Sequence, residues 1–142
     1  AVARAAARIA AVGFPLTLVH GDFHPGNVAS TSDDIVLFDW SDGAISCPVI
    51  EFATWAWWFD GDERRQSELW SWFCSAWTLE FDIDITERQR CDADVVAGAY
   101  HLVSYIGLLQ GLDPVDRTEY LEGVDHFYAV VTTRMEDPTF TN

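Results

Sequence analysis

The chain has 142 residues, 49% of them hydrophobic and 14% aromatic, with seven Trp and nine Phe; it is long enough to bury a core and too apolar to be disordered. Eight basic residues, every one an arginine, face 23 acidic ones, for a formal net charge of −15. That balance repels polyanions and excludes a nucleic-acid partner, while it would draw a cationic small molecule.

In chain order, the Ala-rich opening with Arg4 and Arg8 reads as the end of a helix that began earlier. Leu16-Thr17-Leu18-Val19 is a β-prone run, Ile35-Val36-Leu37-Phe38 is another, and a small strand is expected around Val28. Pro48, shortly after Ser46, suits the first turn of a helix, and Val49 to Phe59 is apolar on most faces, as in a buried helix. Asp60-Gly61-Asp62 breaks it. Arg64 to Glu80 forms the next helix, with Leu69, Trp70, Phe73 and Trp77 as a core stripe. Phe81 to Ile85 alternates but is short. Thr86 is an N-cap with Gln89 three positions on, opening a long helix to about Leu109 whose apolar residues are Val95, Tyr100, Leu102, Val103, Ile106 and Leu109. Gly111 closes it and Asp113-Pro114 opens the last helix, Val115 to Met135, with Tyr120, Val124, Phe127, Tyr128 and Val131. The fold class expected is α+β, mainly α: residues 1–142 as a single domain with a small β-hairpin near its amino end.

The chemistry concentrates in His20-Gly21-Asp22-Phe23-His24-Pro25-Gly26-Asn27 and in Asp39-Trp40 at the end of the next apolar strand. Phosphoryl transfer asks little covalent work of a protein; it needs an in-line nucleophile and cations that neutralise charge on the phosphoryl oxygens. A carboxylate at Asp22 can accept a hydrogen bond from an alcohol and take its proton late, while Asn27 and Asp39 offer the hard oxygens that magnesium prefers. Pro25-Gly26 suits the sharp reversal between them. Taken alone, Asp39 is a turn or cap residue at a strand end, and His20 a core histidine hydrogen-bonded to backbone.

The pattern His20-Gly21-Asp22-x-His24-x-x-Asn27, preceded by an apolar strand and followed by Ile35-Val36-Leu37-Phe38-Asp39-Trp40, resembles the aminoglycoside phosphotransferase and choline-kinase-like family, whose fold is similar to that of protein kinases. The resemblance implies a kinase-like carboxy-terminal lobe with the catalytic loop and metal site on its hairpin. It implies that Asp22 is the catalytic base or hydroxyl-orienting residue, that Asn27 and Asp39 bind Mg2+, and that ATP is the co-substrate. His20 becomes the structural histidine at the head of the loop, with His24 a supporting residue. The acceptor would be a small-molecule alcohol, aminoglycoside-like or choline-like, and the sequence does not choose between them. Downstream, the family's Gly-Asp-Pro and Asp-Leu-Ala steps are replaced by Ser46-Cys47-Pro48 and Glu51-Phe52-Ala53, a departure that weakens the inference of loop anchoring by Glu51 but not the metal assignment.

The glycine-rich turn and the lysine that hold phosphates in such enzymes are not in this sequence, which starts at Ala1 and reaches the loop at His20. The expectation is a fragment without its amino-terminal nucleotide-binding lobe, inactive alone, whose apolar surface meets that lobe or a second copy. Cys47, Cys74 and Cys91 are odd in number and form no CxxC pair, which points to a reducing, cytoplasmic setting. No run is long enough to span a membrane, and no membrane partner is expected. Two other functions stay open: a metal-dependent hydrolase using His20, Asp22, His24 and Asp39 as ligands, and a non-catalytic kinase-like interaction module. Acidic candidates for the acceptor pocket are Glu51, Asp60, Asp62, Asp113, Asp116, Glu119 and Asp125, each read singly as a solvated helix-end charge. His101 and His126 read as structural or surface groups.

Overall fold

The structure is a computed structural model, which describes the chain apart from Asp60, residues 114–116 and 139–142, and the side chain of Glu119. Two compact units result: Phe14–Ile85, and Ala1–Gly13 together with Thr86–Asn142.

In the unit Phe14–Ile85, β1 (Thr17–Val19) pairs antiparallel with β4 (Ala44–Ser46), Leu18 opposite Ile45. Strand β2 (Val28–Ser30) pairs antiparallel with β3 (Ile35–Leu37), Ala29 opposite Val36. The expected hairpin is β2–β3; β4 is an addition, three residues long with Ile45 as its single large apolar residue, too short for an alternating pattern. Helix α2 (Pro48–Ala56) starts on Pro48, where a missing N–H costs nothing, and tightens into a single 3-10 turn over Trp57–Phe59. Helix α3 (Glu63–Phe81) is capped by Asp62, whose carboxylate accepts the Arg65 N–H at 2.9 Å, and ends on Asp82 in the left-handed region at φ 55°. Phe81 thus finishes a helix rather than starting an extended run.

Aromatic rings hold α2 to α3. Phe52 stacks on Phe73 with centroids 4.1 Å apart and meets Trp70 edge-on at 4.8 Å, geometries that add roughly 0.5–1.5 kcal/mol per pair beyond burial. Leu69, Trp70 and Trp77 of the expected stripe are buried, and Trp77 also takes Phe14 edge-on at 6.0 Å. The strands, by contrast, leave Leu16, Leu18, Ile35, Val36, Phe38 and Ile45 exposed.

The second unit contains α1 (Val2–Val12), α4 (Glu87–Leu109) and α5 (Arg117–Glu136). Helix α1 ends on Gly13 at φ 75°, which suits a residue without Cβ. Helix α4 opens with the expected capping box: Thr86 accepts from the Gln89 amide while the Gln89 side chain accepts from Thr86 N–H at 2.7 Å. Ala5, Ile9, Val95 and Val131 are buried, and Gly98 lets α5 approach so closely that a Cβ there would sit 2.8 Å from Val131.

The buried part of α4 is not the face that hydrophobicity indicates. Its first half is buried (Cys91 to Val95, Ala97, Gly98), whereas Tyr100, Val103 and Ile106 are exposed. Two carboxylates lie in that buried half because each meets an arginine. Arg8 Nε donates to Asp92 Oδ2 at 2.8 Å, with a second bond from Nη2 to Oδ1, and Arg134 Nε lies 2.7 Å from Asp94 Oδ2. The bond to Asp92 holds the Arg8 guanidinium even more firmly protonated than usual. At Arg134 burial is the largest influence and opposes the charge, but Asp94, Cys91 and Glu87 together more than offset it. His101 stacks on Phe127 at 5.0 Å, a structural role. Among the described residues no helix is long and apolar enough to cross a membrane.

Candidate active site

The site grows from the end of β1. Val19 and His20 are buried, and His20 Nε2 lies 2.8 Å from the carbonyl oxygen of Phe38. A carbonyl only accepts, so Nε2 carries a proton; Nδ1 is buried without a hydrogen-bond partner among the described residues. The Trp40 ring packs on the imidazole at 4.7 Å. This histidine ties the head of the loop to the strand that carries Asp39.

Gly21 follows at φ 84°, where an added Cβ would lie 2.1 Å from the Asp42 carbonyl oxygen. Its N–H donates to Glu51 Oε1 at 2.7 Å, the length of a charge-assisted bond. Glu51, in the first turn of α2, is therefore the anchor of the loop and not a solvated charge. In sequence, the departure of Glu51-Phe52-Ala53 from Asp-Leu-Ala weakens the inference of this role; the longer carboxylate reaches the backbone all the same.

Asp22 is partly exposed, and the side chains of Asn27 and His24 converge on it. Asn27, 7% exposed, donates through Nδ2 to the Asp22 carbonyl oxygen at 3.0 Å and to Asp22 Oδ2 at 3.2 Å. His24 Nε2 lies 3.5 Å from the same Oδ2. Both neighbours lie on one carboxylate oxygen, and Asp22 Oδ1 accepts no hydrogen bond from the described residues. Pro25–Asn27 forms a 3-10 turn capped by His24, whose Nδ1 accepts the Gly26 N–H at 3.0 Å. That turn brings Asn27 back toward Asp22.

Asp39 is joined to this group through backbone. The Phe38 N–H donates to the Asn27 carbonyl oxygen at 3.1 Å, which extends the β2–β3 ladder and sets Asp39 one residue beyond Asn27's partner. Asp39 is exposed and left-handed at φ 60°, a conformation uncommon for a residue with a Cβ. Its Oδ1 accepts the Ser41 hydroxyl at 2.9 Å, and no hydrogen bond joins it to Asp22 or Asn27 among the described residues.

As to metal, Asn27 Nδ2 is committed to Asp22, which leaves the amide oxygen for other partners, and Asp39 offers a carboxylate: both are hard donors suited to magnesium. Among the described residues no three of His, Cys, Asp and Glu gather around one point. A hydrolase centre built from His20, Asp22, His24 and Asp39 is thus not assembled among the described residues.

Aromatic residues line the loop, and only the general abundance of Trp in the sequence hinted at them. Phe23 stacks on Trp55 at 5.7 Å and His24 on Trp58 at 5.0 Å; Trp58 is 58% exposed. Of the acidic pocket candidates, Glu51 is the loop anchor and Asp62 a helix cap, Asp113 and Asp125 are exposed, and Asp60, Asp116 and the Glu119 side chain lie outside the described residues.

The model of the phosphotransferase enzyme family, APH, matches residues 1–89. The chain belongs to that family. Among solved structures, this phosphotransferase-family chain is similar to a choline/ethanolamine kinase family protein from Mesorhizobium loti, with a TM-score of 0.67 at 17% identity over 99% of this chain and 47% of that one. The likeness shows the fold, and the chain spans about half the length of that structure. No curated protein matches.

Proposed function

We propose that this chain supplies the catalytic lobe of an ATP- and magnesium-dependent O-phosphotransferase acting on a hydroxyl of a small molecule. The observation that carries the reading is the Asn27 bridge. By donating to both the carbonyl and Oδ2 of Asp22, the amide fixes the carboxylate and turns its own oxygen away from it. Asp22 Oδ1 is then the atom to accept the acceptor's O–H. As the alcohol oxygen attacks the γ-phosphorus and the bond to the β-phosphate oxygen breaks, the alcohol proton passes to Asp22 and ADP leaves. Asn27 and Asp39 would hold magnesium, which when bound supplies positive charge against the phosphoryl oxygens.

An amino-terminal nucleotide-binding lobe, bearing the glycine-rich turn and the lysine, completes this reading; the exposed Leu16, Leu18, Ile35, Phe38 and Ile45 are the apolar surface offered to it. The net charge of −15 favours a cationic alcohol as acceptor, of the choline-like or aminoglycoside-like kind. A reducing cytoplasm suits the three free cysteines.

The test is turnover of Mg-ATP with a panel of cationic alcohols by the full-length gene product. Asp22→Asn should lower kcat by about 100-fold or more while nucleotide affinity holds. Asp39→Ala should weaken Mg-nucleotide binding by titration calorimetry. Undiminished turnover in the first variant, or unchanged affinity in the second, removes the corresponding role.

A further inference from the structure

Among the site residues, His24 has no task in the reading above, yet its ring is held on three sides. Nδ1 accepts the Gly26 N–H at 3.0 Å. One face stacks on Trp58, with centroids 5.0 Å apart and planes inclined by 25°. Gly26 makes room for the ring edge: a Cβ at that position would lie 2.6 Å from His24 Cε1 and 2.9 Å from Nδ1. A cap for a 3-10 turn needs none of this, because the short oxygen side chains of Ser, Thr, Asp or Asn accept a backbone N–H as well. What the imidazole adds is a second nitrogen across the ring.

The hydrogen bond fixes which nitrogen bears the proton. An amide N–H only donates, so Nδ1 is the acceptor and a neutral ring is protonated at Nε2. That N–H lies 3.5 Å from Asp22 Oδ2, longer than a formed bond but within the range that closes when a catalytic site fills. Asn27 already donates to the same Oδ2 at 3.2 Å. Once the His24 contact closes, two donors on one oxygen would hold the carboxylate plane and direct the other oxygen outward.

We propose that His24 is the positioning residue of Asp22: with its tautomer set by the Gly26 amide and its plane set by Trp58, it presents Nε2–H to Oδ2 and so leaves Oδ1 free to receive the acceptor's proton. It acts through Asp22 and does not touch the transferred group. The inference rests on the phosphotransferase reading for its consequence, but the tautomer and the contact can be tested without turnover.

Two substitutions separate donor from cap. In His24→Asn the side-chain oxygen replaces Nδ1 as cap acceptor and the donor to Asp22 is lost; in His24→Gln the amide nitrogen replaces Nε2 and the cap is weakened. In the full-length gene product, His24→Asn should lower kcat about 100-fold, the scale of a misplaced catalytic group, with acceptor KM little changed, and His24→Gln should retain most of the lost rate. The reverse order, or equal losses, would show a turn cap only and overturn the proposal. Nitrogen-15 NMR of this chain should show His24 protonated at Nε2, with that resonance moved by Asp22→Ala and not by the distant surface change Glu80→Ala. A proton on Nδ1, or no response to Asp22→Ala, overturns it whether or not any acceptor is phosphorylated; absence of turnover in the unaltered protein with the NMR result intact counts against the phosphotransferase reading instead.

Discussion

Glu51 Oε1 accepts the N–H of Gly21 at 2.7 Å, so the first turn of α2 holds the backbone immediately before Asp22. The contact joins residues 30 positions apart and couples folding of the helix to the shape of the loop.

Breaking that contact should loosen the loop in a graded way. Glu51→Gln keeps an acceptor oxygen and loses the charge, whereas Glu51→Ala leaves the Gly21 N–H without its carboxylate; a bond to a charged group contributes about 1.5–3 kcal/mol. Thermal unfolding should therefore rank the intact chain above Glu51→Gln, and Glu51→Ala lowest. An unchanged melting temperature in Glu51→Ala would mean that water replaces the carboxylate without cost.

Gly21 and Gly13 form a natural pair of controls. Both have positive φ, but a Cβ on Gly13 meets nothing within 4 Å, while one on Gly21 meets the Asp42 carbonyl oxygen at 2.1 Å. Gly13→Ala should cost only the left-handed backbone term, about 1–2 kcal/mol. Gly21→Ala should cost clearly more, because a backbone carbonyl must move. Denaturant midpoints for the two variants give the comparison, and similar values would contradict the close approach.

The loop was legible in the sequence and its surroundings were not, for physical reasons. Asp22, Asn27 and Asp39 stand out because few residue types accept protons or offer hard oxygens, and their order along the chain survives any packing detail. Helix α4 was legible from its Thr86 cap and α3 from the three- and four-residue spacing of Leu69, Trp70, Phe73 and Trp77, signals that precede tertiary contacts. Strand β4 escaped because its three residues owe their extended state to β1, a partner distant in sequence. Asp92 and Asp94 escaped for the opposite reason. A carboxylate in a helix reads as solvent-facing until the arginine that pays for its burial is found on α1 or α5, which no local pattern reveals.

Those buried pairs make a prediction of their own. Asp92 is fully buried and takes two bonds from Arg8, with Arg88 Nε a further 4.0 Å away. Arg8→Met should destabilise the chain by about 3 kcal/mol, since it leaves a buried charge short of its main partner. Arg8→Met combined with Asp92→Leu should recover much of that loss. A double-mutant cycle on urea unfolding measures the coupling, and additive effects would show that the pair is not energetically linked.

Cys91 gives a pH dependence with a definite sign. Burial pushes its thiol from the ordinary 9.0 up to about 11, with Arg134 opposing the rise. The folded chain therefore keeps a proton that the unfolded chain releases, so this contribution is whole below pH 9 and is lost as pH climbs toward 11. Urea melts across that interval should show a falling midpoint, flattened in Cys91→Ala. Iodoacetamide under native conditions should label partly exposed Cys74 before buried Cys47 and Cys91, with mass spectrometry giving the order.

The stacking of Trp58 on His24 has an optical consequence. Trp58 is exposed and its ring lies against the imidazole, so this tryptophan's emission depends on how the loop is held. A difference spectrum against Trp58→Phe isolates that signal from the other tryptophans, and makes occupation of the site beside Asp22 visible by fluorescence with no added label.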